Sequence, residues 1–225
     1  GRNFSNKIWN AFRLIKGWEI ADVEQPESAK QAIEWFENKI SKTITEIDFS
    51  YSKYRISEAL MGTYRLVWDD FCSWYLEMVK PNYGSPIDSI TYSKTIEQLE
   101  KILKLLHPFM PFLSEEIWHL IDDRKEDIIV AEWPIATNVN EQLLSDFEKT
   151  TEIVAGIRTI RKEQNITNKD QLELLVIDNQ KSESNFDAII AKLGNLTRVE
   201  TTEEKPGGAF SFMVSSNEYF IPLVN

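Results

Sequence analysis

Two tryptophans near the start of the chain stand among hydrogen-bond donors rather than apolar neighbours. At about 100° per residue, Trp9 shares a helix face with Arg2, Asn6, Asn10, Arg13 and Lys16, and Trp35 shares one with Gln31, Lys39 and Lys42. Aromatic planes stack on splayed bases, amides and guanidinium groups read base edges, and cations hold phosphates. The chemistry these types serve is recognition of a single-stranded nucleic-acid loop rather than bond making. Two other readings compete with it. A further segment covers the indoles, since tryptophan is mostly buried in folded proteins, or the indoles anchor a protein partner on a helical scaffold.

The usual catalytic sets do not assemble on paper. His107 and His119 are twelve residues apart across a proline break, with Cys72 far from both, so no metal site is expected from them. Cys72 lies within a helical stretch with no activating base in reach, which speaks against a nucleophile. Glycine-rich phosphate loops are absent, and Gly207 and Gly208 beside Pro206 are turn residues. Asp69 with Asp70, Glu115 with Glu116, and Glu203 with Glu204 are adjacent pairs whose side chains diverge on a helix. They read as solvated faces, and His119 as a partly exposed helix position.

The positioning elements follow from periodicity. Phe4, Ile8, Ala11, Phe12 and Ile15 form the buried stripe of a first helix. After a loop over residues 18–26, a second helix starts near Ser28, in a capping-box spacing with Gln31, and buries Ala29, Ile33, Phe36, Ile40, Ile44 and Ile47. Trp35 falls off that stripe and is expected to point away from the core. A third helix, about Tyr51 to Lys80, places Ile56, Leu60, Thr63, Val67, Phe71, Trp74 and Met78 on one side and stops at Pro81. A fourth spans Ile87 to Leu106, and a fifth starts at Ser114 as N-cap. Short links imply an antiparallel helical bundle.

Beyond Asp122 the stripe is lost, and residues through Asn140 read as a surface linker. A helix from Glu141 to Gln164 precedes LELLVI, a helix near Asn185 to Leu193, then TRVE, FSFMV and EYFIPL, an order typical of a small α+β domain. The fold class is therefore mainly α, a bundle over 1–133 followed by a small α+β domain over 134–225. Both ends read as cut. The first helix has no cap ahead of it and EYFIPLVN has nothing after it, as in a piece of a longer protein.

A hydrophobic content of 42% over 225 residues supports a real core. With 25 Lys and Arg against 36 Asp and Glu, the net charge of -11 excludes a general polyanion binder. Any nucleic acid must meet a local patch. Residues 1–16 supply one, because Arg2, Lys7, Arg13 and Lys16 occur there without an acid. One cysteine and no long apolar run point to a cytoplasmic protein with no membrane partner.

The strings GRNFSNKIWNAFRL, DDFCSWYLEMVKP, LLHPFMPFLSEEIW followed by EWP, and IRTIRKEQNI resemble, in order, the motifs of the C-terminal half of the valyl-tRNA synthetases, a family of class I aminoacyl-tRNA synthetases. The HPFMPFLSEEIW type is shared with isoleucyl and leucyl relatives, whereas GRNFSNKIWN and FCSWYLE are closer to the valyl pattern, so the anticodon-binding region of an isoleucyl-tRNA synthetase is the nearest rival reading. The resemblance implies an anticodon-binding domain over 1–133 and a small domain over 134–225 that leads to a coiled-coil arm. It also implies that ATP, Mg and catalysis belong to a catalytic domain elsewhere in the same chain, whose HIGH and KMSKS signatures do not occur here. This piece would then need no cofactor, make no adenylate and edit nothing.

The partner the resemblance implies is the anticodon stem-loop of tRNA(Val), read at its middle adenine and final cytosine by the N-terminal helices. Arg13 and Asn6 are then base-edge or phosphate donors, Arg2 and Lys16 phosphate contacts, and Trp35 a stacking surface, with Asn10, Lys39 and Trp9 as weaker contributors. One departure stands out: where the family pattern has a basic residue before the aromatic, this chain has Glu34 before Trp35. The resemblance assigns Trp74 and Tyr75 to packing. Arg158, Arg161 and Lys162 read as a solvated helix face, with contact to the tRNA elbow as the second reading.

Overall fold

The five apolar positions of the opening stripe are the five buried residues of α1 (Arg2–Lys16). The structure, a computed structural model, describes residues 1–179 and 185–222. A two-residue β1 (Ile20–Ala21) follows, then α2 (Glu27–Ser52). Pro26 is the N-cap of α2 and no side chain caps it, so Ser28 and Gln31 form no capping box. Both lie inside the first turns instead, Ser28 buried and the Gln31 Oε1 enclosed without a partner. The helix also runs past Ile47 to Ser52, and Tyr54, at φ 57°, turns the chain into α3 (Ile56–Arg65).

α3 passes directly into a π-helical segment, Leu66–Tyr75, and then into α4 (Leu76–Val79), which ends ahead of Pro81. In π geometry each N–H reaches the carbonyl five residues back, as Leu76 N–H does to Phe71. The extra residue per hydrogen-bonded loop shifts the buried stripe by one position. Thr63, Val67 and Phe71 are buried as the helical period requires, but the next core residue is Tyr75, fully enclosed, while Trp74 is only half-buried. Ile56 and Leu60, expected on the same stripe, are exposed at 51% and 41%.

β2 (Ile87–Asp88) pairs in parallel with β1, Ile20 opposite Ile87. Asp88 caps α5 (Ser89–Leu106), its Oδ1 accepting from Thr91 N–H at 2.8 Å. α6 (Pro111–Ile121) begins with its proline in the first turn, not at Ser114. Ser114 is instead a buried residue of that helix, its Oγ 2.9 Å from Met110 O and 2.7 Å from His107 Nδ1. A short 3-10 turn, Ile128–Val130, follows.

The chain divides into two units, Gly1–Val139 and Asn140–Asn225. Residues 134–139 stay with the first because the segment around them is tied to α2. Trp133 Nε1 donates to Asp48 at 2.9 Å, its ring meets Tyr51 edge-on, and Thr137 and Ser41 hydroxyls lie 2.9 Å apart.

The second unit opens on α7 (Glu141–Glu163), capped by the Asn140 side chain, which accepts from Leu143 N–H at 3.0 Å. Among the described residues four strands follow around one helix: β3 (Leu172–Ile177), α8 (Asp187–Gly194), β4 (Leu196–Thr201), β5 (Phe210–Val214) and β6 (Asn217–Ile221). The sheet order is β4-β3-β6-β5, with β3 and β4 parallel across α8 and the other pairs antiparallel. Leu172, Leu174 and Val176 alternate inward and pack with Ile153, Ile157 and Ile160 of α7. The last three residues of the apolar terminal run, 223–225, lie outside the described residues.

Candidate nucleic-acid interface

The exposed side of α1 is a row of donors. The helix holds no acid in its first turn and has Arg13 and Lys16 in its last, where cations complement the carbonyl end. Arg2, Asn6, Asn10 and Arg13 are all exposed, and among the described residues none has an intramolecular side-chain hydrogen bond or ion pair. From Arg2 to Lys16 the row runs about 21 Å at 1.5 Å per residue. Among the described residues Lys16 donates only to the Ile121 carbonyl, at 3.3 Å. Trp9 is half-buried in the same row, its ring tilted against Phe12 at 5.6 Å.

Trp35 does not join this row. It is 3% exposed and its ring lies 5.8 Å from that of Phe36, so the expectation that it points outward is corrected and it offers no stacking face. The physical reason is the width of the buried arc on α2. Ala32, Trp35 and Thr43 are covered in addition to the expected stripe, which happens when a long helix is packed on more than one side.

Lys39 is half-buried and directed at the π-helical segment, with Nζ 3.8 Å from Asp70 Oδ1. Burial pushes the Asp70 carboxyl up to about 6, against the opposing pull of the Lys39 ammonium. Glu34, the residue that departs from the family pattern, is exposed and its carbonyl accepts from Asn38 Nδ2 at 2.9 Å.

The periodicity missed a second flank of α1. Lys7 lies 4.0 Å above the Trp68 ring and 3.5 Å from Ser73 Oγ. Beneath it, Trp68 and Tyr64 stack at 5.8 Å with planes 9° apart, and Tyr64 stacks on Phe4 at 4.8 Å. Both are half-buried aromatics. Only the local π geometry brings Ser73 back over Trp68, its Oγ donating to the Trp68 carbonyl five residues earlier at 2.8 Å.

Elsewhere the reactive residue types are structural. Burial pushes the Cys72 thiol up to about 11, so it stays protonated at neutral pH and is a poor nucleophile. Arg161 is not a solvated helix residue. It is 5% exposed, and its guanidinium donates to the carbonyls of Thr167, Asp170 and Gly194 at 2.7, 2.9 and 2.8 Å. Arg158 and Lys162 are exposed. The expectation of no metal ligands counted histidine and cysteine alone, whereas the fold gathers Glu115, His119 and Asp127, one ligand atom from each within 4.8 Å of the others.

Residues 34–176 match the family model described as the anticodon-binding domain of tRNA ligase. The chain is also 52% identical over 226 residues to a valine-tRNA ligase of Christiangramia forsetii, across 99% of its own length. It is 53% identical over 227 residues to that of Phocaeicola vulgatus and 32% identical over 236 residues to that of Brucella suis biovar 1. The chain belongs to the valine-tRNA ligase family. It spans 26% of the length of each of these relatives. α1 precedes the residues matched by the family model but lies within the aligned stretch of the relatives.

Proposed function

We propose that this chain reads the anticodon stem-loop of tRNA(Val) for a valine-tRNA ligase, and that the exposed row of α1 is the reading face. The observation that carries it is the set of four exposed donors, Arg2, Asn6, Asn10 and Arg13, which have no partner inside the molecule among the described residues. Guanidinium and amide groups have the geometry for base edges, and guanidinium and ammonium groups hold phosphates. In this reading Arg13 and Asn6 contact base edges or phosphate, Arg2 and Lys16 hold phosphates, and Asn10 extends the row. Trp9, half-buried in the row, takes the stacking role first given to Trp35, and Lys39 is a minor contributor because Asp70 holds it.

The first unit then acts as an antiparallel bundle that presents α1, and the second as the small domain that leads to a coiled-coil arm. ATP and Mg are used by the catalytic domain of the same enzyme, not by this chain, and the enzyme works in the cytoplasm. Among the described residues no helix is long and apolar enough to cross a membrane.

The test is a titration of the chain with tRNA(Val) transcripts whose middle anticodon adenine or final cytosine is replaced. Weaker binding of both replacements, and of R13A to the native transcript, is the expected result. Equal affinity for all transcripts defeats anticodon reading by this face. Unchanged tRNA binding by R13A together with loss of a protein partner favours the scaffold instead.

A further inference from the structure

We propose that Glu115, His119 and Asp127 form a binding site for a divalent transition metal of the zinc type, independent of the RNA-reading face. Glu115 and His119 are one helical turn apart on α6, so both side chains leave the same side of the helix. Asp127 comes from the turn that follows. His119 Nε2 lies 2.9 Å from Glu115 Oε1 and 3.1 Å from Asp127 Oδ1.

That convergence sets two carboxylates on one imidazole nitrogen, which cannot serve both. Nε2 has one hydrogen or one lone pair to offer, and two carboxylate oxygens face it. A dication removes the conflict, because two carboxylates and a neutral imidazole balance its charge. Zinc bonds of about 2.0–2.2 Å in a tetrahedron place ligand atoms about 3.4 Å apart. The observed 2.9 and 3.1 Å therefore need a few tenths of an ångström of spreading, and the Glu115–Asp127 edge, within 4.8 Å, has to settle to the same length. With three protein ligands the fourth position stays open to water.

The turn that delivers Asp127 is already fastened to α6. Ile128 N–H donates to Glu115 Oε1 at 3.1 Å, the kind of outer hydrogen bond that orients metal-ligating carboxylates. Trp118 Nε1 donates to the Glu126 carbonyl at 3.3 Å, and the Arg124 guanidinium lies 3.8 Å over the Trp118 ring while it pairs with Glu100. A metal here would clamp the turn to α6 next to the Ile121 carbonyl that Lys16 grips.

The experiment uses this chain stripped of metal and titrated with Co2+ and then Zn2+, with visible absorption for the first and the thermal midpoint for the second. The expected result is one equivalent of Co2+ bound with the strong absorption of a four-coordinate ion, displaced by Zn2+, and a zinc-dependent rise in the midpoint. H119A and D127N should each weaken binding at least tenfold while their metal-free midpoints stay near that of the parent, and E116Q, on a neighbouring face, should bind as the parent does. Absence of saturable Co2+ or Zn2+ binding, or equal binding by H119A and D127N, overturns the site.

Discussion

The Tyr75 hydroxyl and the Thr95 hydroxyl lie 3.0 Å apart with both side chains fully buried, which joins the π-helical segment to α5. Thr95 also donates to the Thr91 carbonyl at 2.8 Å, so the Tyr75 hydroxyl donates to Thr95 Oγ1 in turn. Removing the tyrosine hydroxyl with Y75F deletes a hydrogen bond and leaves Thr95 with its carbonyl partner, a loss of about 1 kcal/mol. T95V strands the tyrosine hydroxyl in the core and costs about 2 kcal/mol. W74F, at the half-buried neighbour, should cost less than either. Urea unfolding followed by tryptophan fluorescence checks all three, because every tryptophan lies in the first unit. A larger loss for W74F than for T95V would show that the stripe keeps the α-helical period.

For the reading face, the net charge of -11 opposes RNA approach, so binding rests on a few local cations and must fall with salt. Each phosphate contact contributes about 0.7 to the slope of log affinity against log salt for a single strand. R2A should therefore flatten the slope by about 0.7. W9A should weaken binding by about 1 kcal/mol, the lower end of a lost stacking contact, whereas W35F should leave RNA affinity unchanged in folded protein. Salt titrations with the anticodon stem-loop measure all of these. A slope near zero for the parent chain removes α1 from the interface.

Much of this arrangement was legible from residue pattern alone. The α1 stripe, the LELLVI and FSFMV strands and α7 follow from local periodicities, and each element obeys its own. What stayed hidden depends on contacts between distant segments or on a change of helix type. Trp35 is off the main stripe of α2 and becomes core only because the fold covers a second side of that helix. Tyr75 replaces Trp74 because the segment before it is π rather than α, which no spacing of apolar residues announces. Arg161 has the charge of a surface residue, but two chain turns bring carbonyls around it. In the candidate metal site, the i, i+4 pair of Glu115 and His119 is visible in the sequence, whereas Asp127 arrives only through the fold of the intervening turn.

Gly156 marks a close approach in the second unit. A Cβ built there would lie 2.4 Å from the Phe212 ring of β5, well inside contact distance. The ring is not free to retreat, since it stacks on Tyr219 at 5.3 Å with planes 14° apart. G156A gains about 1 kcal/mol of helix propensity and loses about 3 kcal/mol to overpacking, a net loss of about 2 kcal/mol. Hydrogen exchange of the β5 and β6 amides should report it. The double variant with F212L should recover part of the loss, since the two sites touch and their effects are not additive.

Asp70 makes stability fall as pH rises through the weakly acidic range. Its folded carboxyl titrates at about 6, above the ordinary 3.8, so between those values the folded state binds the proton more tightly than the unfolded chain. The stabilisation is complete below about 4, is lost as pH climbs to about 6, and stays lost above. At 1.36 kcal/mol per pH unit the full change is about 3 kcal/mol. D70N removes the titrating group and should flatten this part of the profile. At pH 7 it should be more stable than the parent by about 3 kcal/mol, because the attraction of Lys39 is already contained in the carboxyl's titration at about 6. Urea midpoints from pH 4 to 7, read by tryptophan fluorescence, give the comparison. Parallel profiles for parent and D70N would mean that Asp70 is as well solvated in the folded protein as in the unfolded chain.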